Sequence, residues 1–195
     1  VTAVKVWQSG AWVESSTPDK VWAGGAWVAF APAGGTDEVL AWAAEPSNTD
    51  ADDGSQAYNM GVLFTLVASK NCIGVQWRVP DTTPSPPGGT HAVSIWDDVG
   101  ASRIAYKEFT PVPGGYQRIL FDSPVALTLA TAYVAAVYTN HYSFRSGTPA
   151  GTTSPSGNIV AGAGRLAAYN SGAASAPQPT DSFTSIYYVS PIVEV

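Results

Sequence analysis

In the stretch "IGVQWRV" at 73–79, Ile73, Val75, Trp77 and Val79 stand at every second position, with Gly74, Gln76 and Arg78 between them. A period of two puts one set of side chains on one face of an extended strand and the other set on the opposite face. Short apolar runs at this spacing recur to the end of the chain. They lie near 39–43, 58–67, 72–79, 91–97, 102–109, 116–121, 125–128, 132–139, 142–146, 165–170 and 185–194. Pro- and Gly-rich breaks separate them, notably "PDTTPSPPGG" at 80–89 and "SGTPAGTTSPSGN" at 146–158. No segment sustains a helical period with caps. Only 12% of residues are charged, while 19 Gly, 15 Pro and abundant aromatics supply turns and core. That balance belongs to an all-β protein and not to a disordered chain. About ten short strands after residue 38 predict a jelly-roll-type β-sandwich over 39–195.

The N-terminal segment is different. "KVWQSGAWV" at 5–13 returns as "KVWAGGAWV" at 20–28, with seven of nine positions identical. Each copy reads as a small hairpin. Pairing outward from a four-residue loop, Gln8-Ser9-Gly10-Ala11, sets Trp7 opposite Trp12, Val6 opposite Val13, and Lys5 opposite Glu14. A tryptophan pair beside an ion pair is a favourable cross-strand combination. The second copy repeats it with Trp22 and Trp27, although Ala29 replaces the acid opposite Lys20. Two-stranded hairpins are marginal alone in water. These four tryptophans therefore call for a surface: sister chains, a larger assembly or the sandwich itself. The reading for 1–30 is an attachment or oligomerisation segment, joined by the linker "APAGGTDE" at 31–38.

The charge pattern narrows the partners. A net charge of −6 and a pI near 4.6 leave no basic stripe to neutralise phosphates, so nucleic acid is not expected. No apolar run approaches the roughly 20 residues of a membrane span, so no membrane insertion is expected. The N-terminus lacks the charged-then-apolar pattern of a secretory leader. A mature secreted chain and a cytoplasmically made chain that has lost its initiator Met both remain compatible with this. Cys72 stands alone, and no known zinc spacing joins it to His91 and His141.

Catalysis is not expected. Asp97, Asp98, Glu108 and Asp122 could furnish a glycosidase pair, but Asp97-Asp98-Val99-Gly100 reads as a hairpin turn. No Gly-x-Ser-x-Gly elbow occurs, and Cys72 heads an apolar strand as a small hydrophobe. No cofactor is expected beyond a structural calcium. "SNTDADDGS" at 47–55 offers Asp50, Asp52 and Asp53 as hard oxygen ligands; the competing reading is a solvated acidic loop. For glycan binding the candidates are Trp96 and Asp97 in "HAVSIWD", with Tyr138, Asn140, His141, Tyr142 and Arg145 in "YTNHYSFR". Exposed rings stack on sugar C–H faces while polar neighbours bind hydroxyls. If Val93 and Ile95 fill the core, Trp96 points outward. The competing reading of Trp96 is cover over the outer face or an oligomer contact. Trp77 and Tyr133 read as structural, and Arg145 and Arg165 as surface residues.

Two resemblances follow from the phrases themselves. "MGVLFTL" at 60–66, "IGVQWRV" at 73–79, "GGTHAVSIWDDVGASRIAYKEF" at 88–109, "GGYQRILFDSPVALTLATAYVAAVY" at 114–138 and "SIYYVSPIVEV" at 185–195 resemble an uncharacterised β-sandwich module. That module occurs mainly in actinobacterial secreted proteins and beside glycoside hydrolases. Its usual long loop after the "YVASY"-like strand is shortened here to Thr139-Asn140-His141. The "KVWxxGAWV" repeats are similar to short repeats in minor tail and other virion structural proteins of phages infecting actinobacteria. Together the resemblances imply a non-enzymatic phage structural protein, a minor tail protein or capsid-decorating fibre. It would sit at the virion surface among other virion proteins and further copies of itself, with host-surface glycan as a ligand of the sandwich. The alternative is a carbohydrate-binding accessory module of a secreted actinobacterial protein.

Overall fold

The computed structural model describes residues 37–42, 56–81 and 90–195 in full, and the backbone alone at 4–8, 11–15, 20–23, 26–29 and 49–52. The chain divides into two compact units, Val1–Thr36 and Asp37–Val195.

In the first unit, β1 (Val4–Gln8) pairs antiparallel with β2 (Ala11–Ser15), and β3 (Lys20–Ala23) with β4 (Ala26–Ala29). The register sets Trp7 opposite Trp12, Lys5 opposite Glu14, and Trp22 opposite Trp27. The ladder also runs one pair further than the four-residue loop read from the sequence, joining Gln8 to Ala11 and Ala23 to Ala26. Only two residues then separate the strands of each hairpin. The pair flanking a two-residue connection is hydrogen-bonded, so the tryptophan pair next to it occupies the close, non-hydrogen-bonded position. The tryptophan side chains and residues 31–36 of the linker lie outside the described residues; its last two, Asp37 and Glu38, form a strand of the second unit, and 39–42, where the sequence suggests a strand, carry none.

The second unit contains β5 (Asp37–Glu38), β6 (Thr49–Asp52), β7 (Tyr58–Leu66), β8 (Lys70–Val79), β9 (His91–Asp97), β10 (Ser102–Phe109), β11 (Gly115–Leu127), β12 (Tyr133–Thr139), β13 (His141–Ser146) and β14 (Ile159–Ala168). A single 3-10 turn (Ala173–Ser175), β15 (Asp181–Phe183), β16 (Ser185–Ile186) and β17 (Val189–Glu194) complete it. A six-stranded sheet, in the order β10-β9-β12-β7-β14-β15, faces a four-stranded sheet, β11-β8-β17-β5, across one core. A small sheet, β16-β13-β6, is separate. Every described pairing is antiparallel. The chain crosses repeatedly from one sheet to the other, so the fold is an all-β sandwich.

The core is built from alternate residues: Met60, Val62, Phe64 and Leu66 of β7 and Val75, Trp77 and Val79 of β8 are all buried. The alternation fails at one place. Ile73 is only partly buried, and Cys72 is the core residue. Both neighbours shift register there, β11 between Leu120 and Val125 and β17 between Ile192 and Val193. A bulge of this kind re-aims every side chain beyond it. Burial pushes the Cys72 thiol up to about 12, which keeps it protonated and unreactive. At Gly61 of β7, an added Cβ would sit 1.8 Å from the Ala135 carbonyl oxygen, so only glycine lets β7 and β12 approach as they do. Tyr133 is structural, as its sequence context suggests. Its hydroxyl accepts the Thr128 N–H at 2.9 Å, and its ring lies 5.8 Å from Phe64.

Two buried polar groups make the stability of this sandwich measurable. Glu38 of β5 is buried, and its carboxylate accepts from the hydroxyls of Ser154 and Ser156 and from Asn158 Nδ2. These contacts tie the first strand of the unit to the loop before β14. Glu38→Ala would leave these donors facing a void. It is expected to lower unfolding free energy by about 2 kcal/mol, read as a lower urea midpoint at unchanged slope.

His91 is buried beside Trp77 and Phe109, with ring centroids at 6.4 and 5.8 Å. Burial lowers its pKa from 6.5 to about 4. The unfolded chain therefore binds a proton at His91 well before the folded one does. The stabilisation is whole above the unfolded value and is lost as pH falls from 6.5 toward 4. The loss at this one group is at most roughly 3 kcal/mol. Thermal melts across that window should show a steeper acid loss for the native chain than for His91→Phe.

Candidate functional site

The chain passes from β12 to β13 through Asn140 alone. The Thr139 hydroxyl donates to the His141 carbonyl at 2.9 Å and accepts the His141 N–H at 3.2 Å, closing the reversal. β13 then leaves the six-stranded sheet and pairs with β6 and β16. The register sets His141 opposite Asp52 and Ser143 opposite Asp50, while Arg145 lies opposite Ile186. Two stretches that are far apart in sequence, "SNTDADDGS" and "YTNHYSFR", thus become neighbours at this small sheet. Asp53 and the side chains of Asp50 and Asp52 lie outside the described residues. Among the described residues no group of three or more His, Cys, Asp or Glu is placed to hold a metal ion.

Tyr142 is the centre of an aromatic cluster. Its ring lies 6.1 Å from Tyr58, 5.9 Å from Phe144 and 5.8 Å from Tyr187, the Tyr58 and Tyr187 contacts edge-to-face. Edge-to-face packing satisfies the ring quadrupoles and fixes the rings relative to one another. Tyr58, Tyr142 and Phe144 are half-buried against the core, and Tyr187 is buried, which raises its pKa. On the other face of β13, Ser143 is fully buried and accepts from Arg78 Nη1 at 3.0 Å. Arg145 is exposed, as its sequence position suggests. Asn140 and His141 are buried. Tyr142 and Phe144 thus share one face of β13, packed against the core, while Ser143 and the exposed Arg145 lie on the other. The half-buried rings can stack on C–H groups, and the exposed guanidinium can donate hydrogen bonds.

The remaining glycan candidates lie elsewhere. Trp96 shares its face with Ser94, as alternation predicts, but it is not an open platform. It is 6% exposed. Its Nε1–H donates to Ser94 Oγ at 2.8 Å, its ring packs with Val134 and Ala136, and the Arg103 guanidinium sits 5.5 Å from its centroid. The cover reading of Trp96 is the one the structure shows. Tyr138 is 1% exposed, and its hydroxyl donates to the Tyr169 carbonyl. Asp97 caps its turn, accepting the N–H groups of Val99 and Gly100 at 3.0 and 3.1 Å. Arg165 is not a surface residue. Its side chain is 14% exposed and reaches Asp98 at 3.2 Å, while Gln178 donates to the same carboxylate at 3.0 Å. Glu108 accepts from the Tyr106 hydroxyl, and Asp122 pairs with Lys107.

Sequence reasoning missed Arg103 and the segment that it holds. The Arg103 side chain lies over the rings of Trp96 and Tyr106 and donates to the carbonyls of Ala173 and Ala174. No period in the sequence marks it: Ala173, Ala176, Gln178 and Pro179 are the residues that the fold buries. That spacing fits neither a strand nor an α-helix.

No curated protein matches this chain. Residues 43–189, most of the sandwich and none of the hairpins, match a family model described as a domain of unknown function, DUF4082. The chain belongs to the DUF4082 family.

Proposed function

We propose that this is a non-catalytic structural protein of a phage surface, a minor tail protein or capsid-decorating fibre. β1–β4 serve assembly with other virion proteins or sister chains, and the sandwich is displayed outward. The observation that carries this reading is the hairpin register. Trp7 stands opposite Trp12 and Trp22 opposite Trp27 in a unit separate from the sandwich and outside the family match. Paired tryptophans on an element too small to bury them suit a symmetric interface. The "KVWxxGAWV" resemblance points to the same setting. The carboxylates that could have formed a catalytic pair are engaged in turn capping and in pairing with neighbours.

A second reading, a carbohydrate-binding accessory module of a secreted protein, is supported by the Tyr142 cluster. Both readings put glycan contact on β13, with Tyr142 on one face and Arg145 on the other.

Solution mass separates them. The full chain should be an oligomer that becomes monomeric in a chain starting at Thr36 and in Trp7→Ala/Trp22→Ala. A monomer in every case would sink the assembly role and leave the module reading. In either reading, Tyr142→Ala should weaken binding to a soluble bacterial cell-wall polysaccharide by roughly tenfold, measured by calorimetry. An unchanged affinity would remove the aromatic cluster from the site.

A further inference from the structure

Residues 169–180 cross the outer face of the six-stranded sheet almost without a backbone ladder. The exceptions are the Tyr169 N–H to the Ala57 carbonyl and the single 3-10 turn. Ala173 and Ala176 pack on Ala57, Ala92 and Tyr138, with Tyr106 and Tyr169 beside them. Ala176 has φ −55° and ψ 134°, the polyproline II region. Pro177 and Pro179 fix their own φ there and bias the residues before them the same way. A polyproline helix repeats every three residues, which puts Ala176 and Pro179 on one buried side; Gln178 is buried as well, donating to Asp98 at 3.0 Å, while Pro177 faces solvent. The groove also supplies donors: Asn59 Nδ2 donates to the Pro177 carbonyl at 2.8 Å, and Arg103 to the Ala173 carbonyl at 3.2 Å.

An aromatic-lined groove whose side chains donate to the carbonyls of a preformed polyproline segment is a recurring mode of recognition between proteins. Here both halves belong to one chain. The apolar contribution of the segment comes from small side chains, so the docking rests largely on side-chain hydrogen bonds: Asn59 and Arg103 to its carbonyls, and Gln178 to the Asp98 carboxylate at 3.0 Å.

We propose that this face is a docking groove for an alanine- and proline-rich extended segment, filled in cis by residues 173–179 and able to take the same segment from a second copy of the chain. A second copy carries the identical segment, so every contact seen in cis is available in trans. Reciprocal exchange would close a two-fold dimer. This inference does not depend on the hairpins or on the virion reading.

The test uses the full chain carrying Ala173→Glu/Ala176→Glu, which undocks the segment and leaves Asn59, Arg103 and Tyr138 in place. The probe is a fluorescent peptide of residues 171–181, SGAASAPQPTD. Hydrogen exchange at 169–180 should rise in the variant, and the peptide should bind it while binding the native chain at least about tenfold more weakly. Adding Asn59→Ala should weaken peptide binding by roughly tenfold. If exchange shows the segment released and the peptide does not bind, the groove is overturned. Should that variant fail to fold, Pro177→Gly/Pro179→Gly loosens the segment by removing only its polyproline bias, and the same two outcomes decide. Refolding the full chain carrying Trp7→Ala/Trp22→Ala at high concentration should give a dimer that the same chain with the proline variant does not form. A monomer alone would overturn the second copy as occupant.

Discussion

β12 is buried along its whole length, on both faces, and the architecture of the sandwich follows from that. Tyr133, Ala135 and Val137 point into the core shared with the four-stranded sheet. Val134, Ala136 and Tyr138 point the other way, into a second apolar layer. A sheet with two apolar faces needs two covers. The four-stranded sheet supplies the first. The second is irregular chain, the segment around Ala173 and Ala176, and irregular chain brings carbonyls that a ladder does not satisfy. Those carbonyls are met by Asn59, Arg103 and Tyr138, side chains rooted in the sheet below. The same constraint explains why Trp96 and Tyr138 are unavailable to a ligand.

Charged groups inside this fold follow the same logic. Glu38 is surrounded by neutral donors from one loop, and Arg165 meets Asp98 with Gln178 completing the carboxylate's shell. A half-buried pair of this kind adds little net stability, but loss of one partner strands the other. Their effect is positional. Glu38 fixes the strand that follows the hairpin unit, and Arg165 draws the turn after β9 toward β14.

The sandwich was legible in the sequence wherever alternation was clean. β7, β8, β9, β10 and β12 lie close to where periodicity places them, and Trp77 is core; the run at 185–194 is instead two strands in different sheets, β16 and β17, parted at Tyr187-Tyr188. Alternation failed where two strands bulge together, at Cys72 and Ile73, because one extra residue exchanges inside for outside. It also could not show that two runs at 116–121 and 125–128 form one strand, since the interruption is a register shift and not a turn. β6 escaped notice because "TDAD" has no apolar period; its strand character comes from pairing with β13. The candidate site was legible only in half. Tyr142 and Arg145 lie on β13 of the small sheet, the first half-buried and the second exposed. Trp96 was placed on the correct face, but a local pattern cannot reveal that a distant segment returns to cover that face.

The covered face and the open end differ in how strongly they are committed. At the Tyr142 cluster the rings are packed against one another and against the core, so their geometry is set before any ligand arrives. Rigid aromatic edges lose little conformational freedom on binding, which favours contact with a flexible polymer. Under residues 173–179 the donors already hold protein carbonyls, and an incoming segment gains only the difference between its contacts and those it displaces. The first surface suits weak, immediate capture. The second suits a slow exchange between chains held close together, where a high local concentration offsets the lack of net gain.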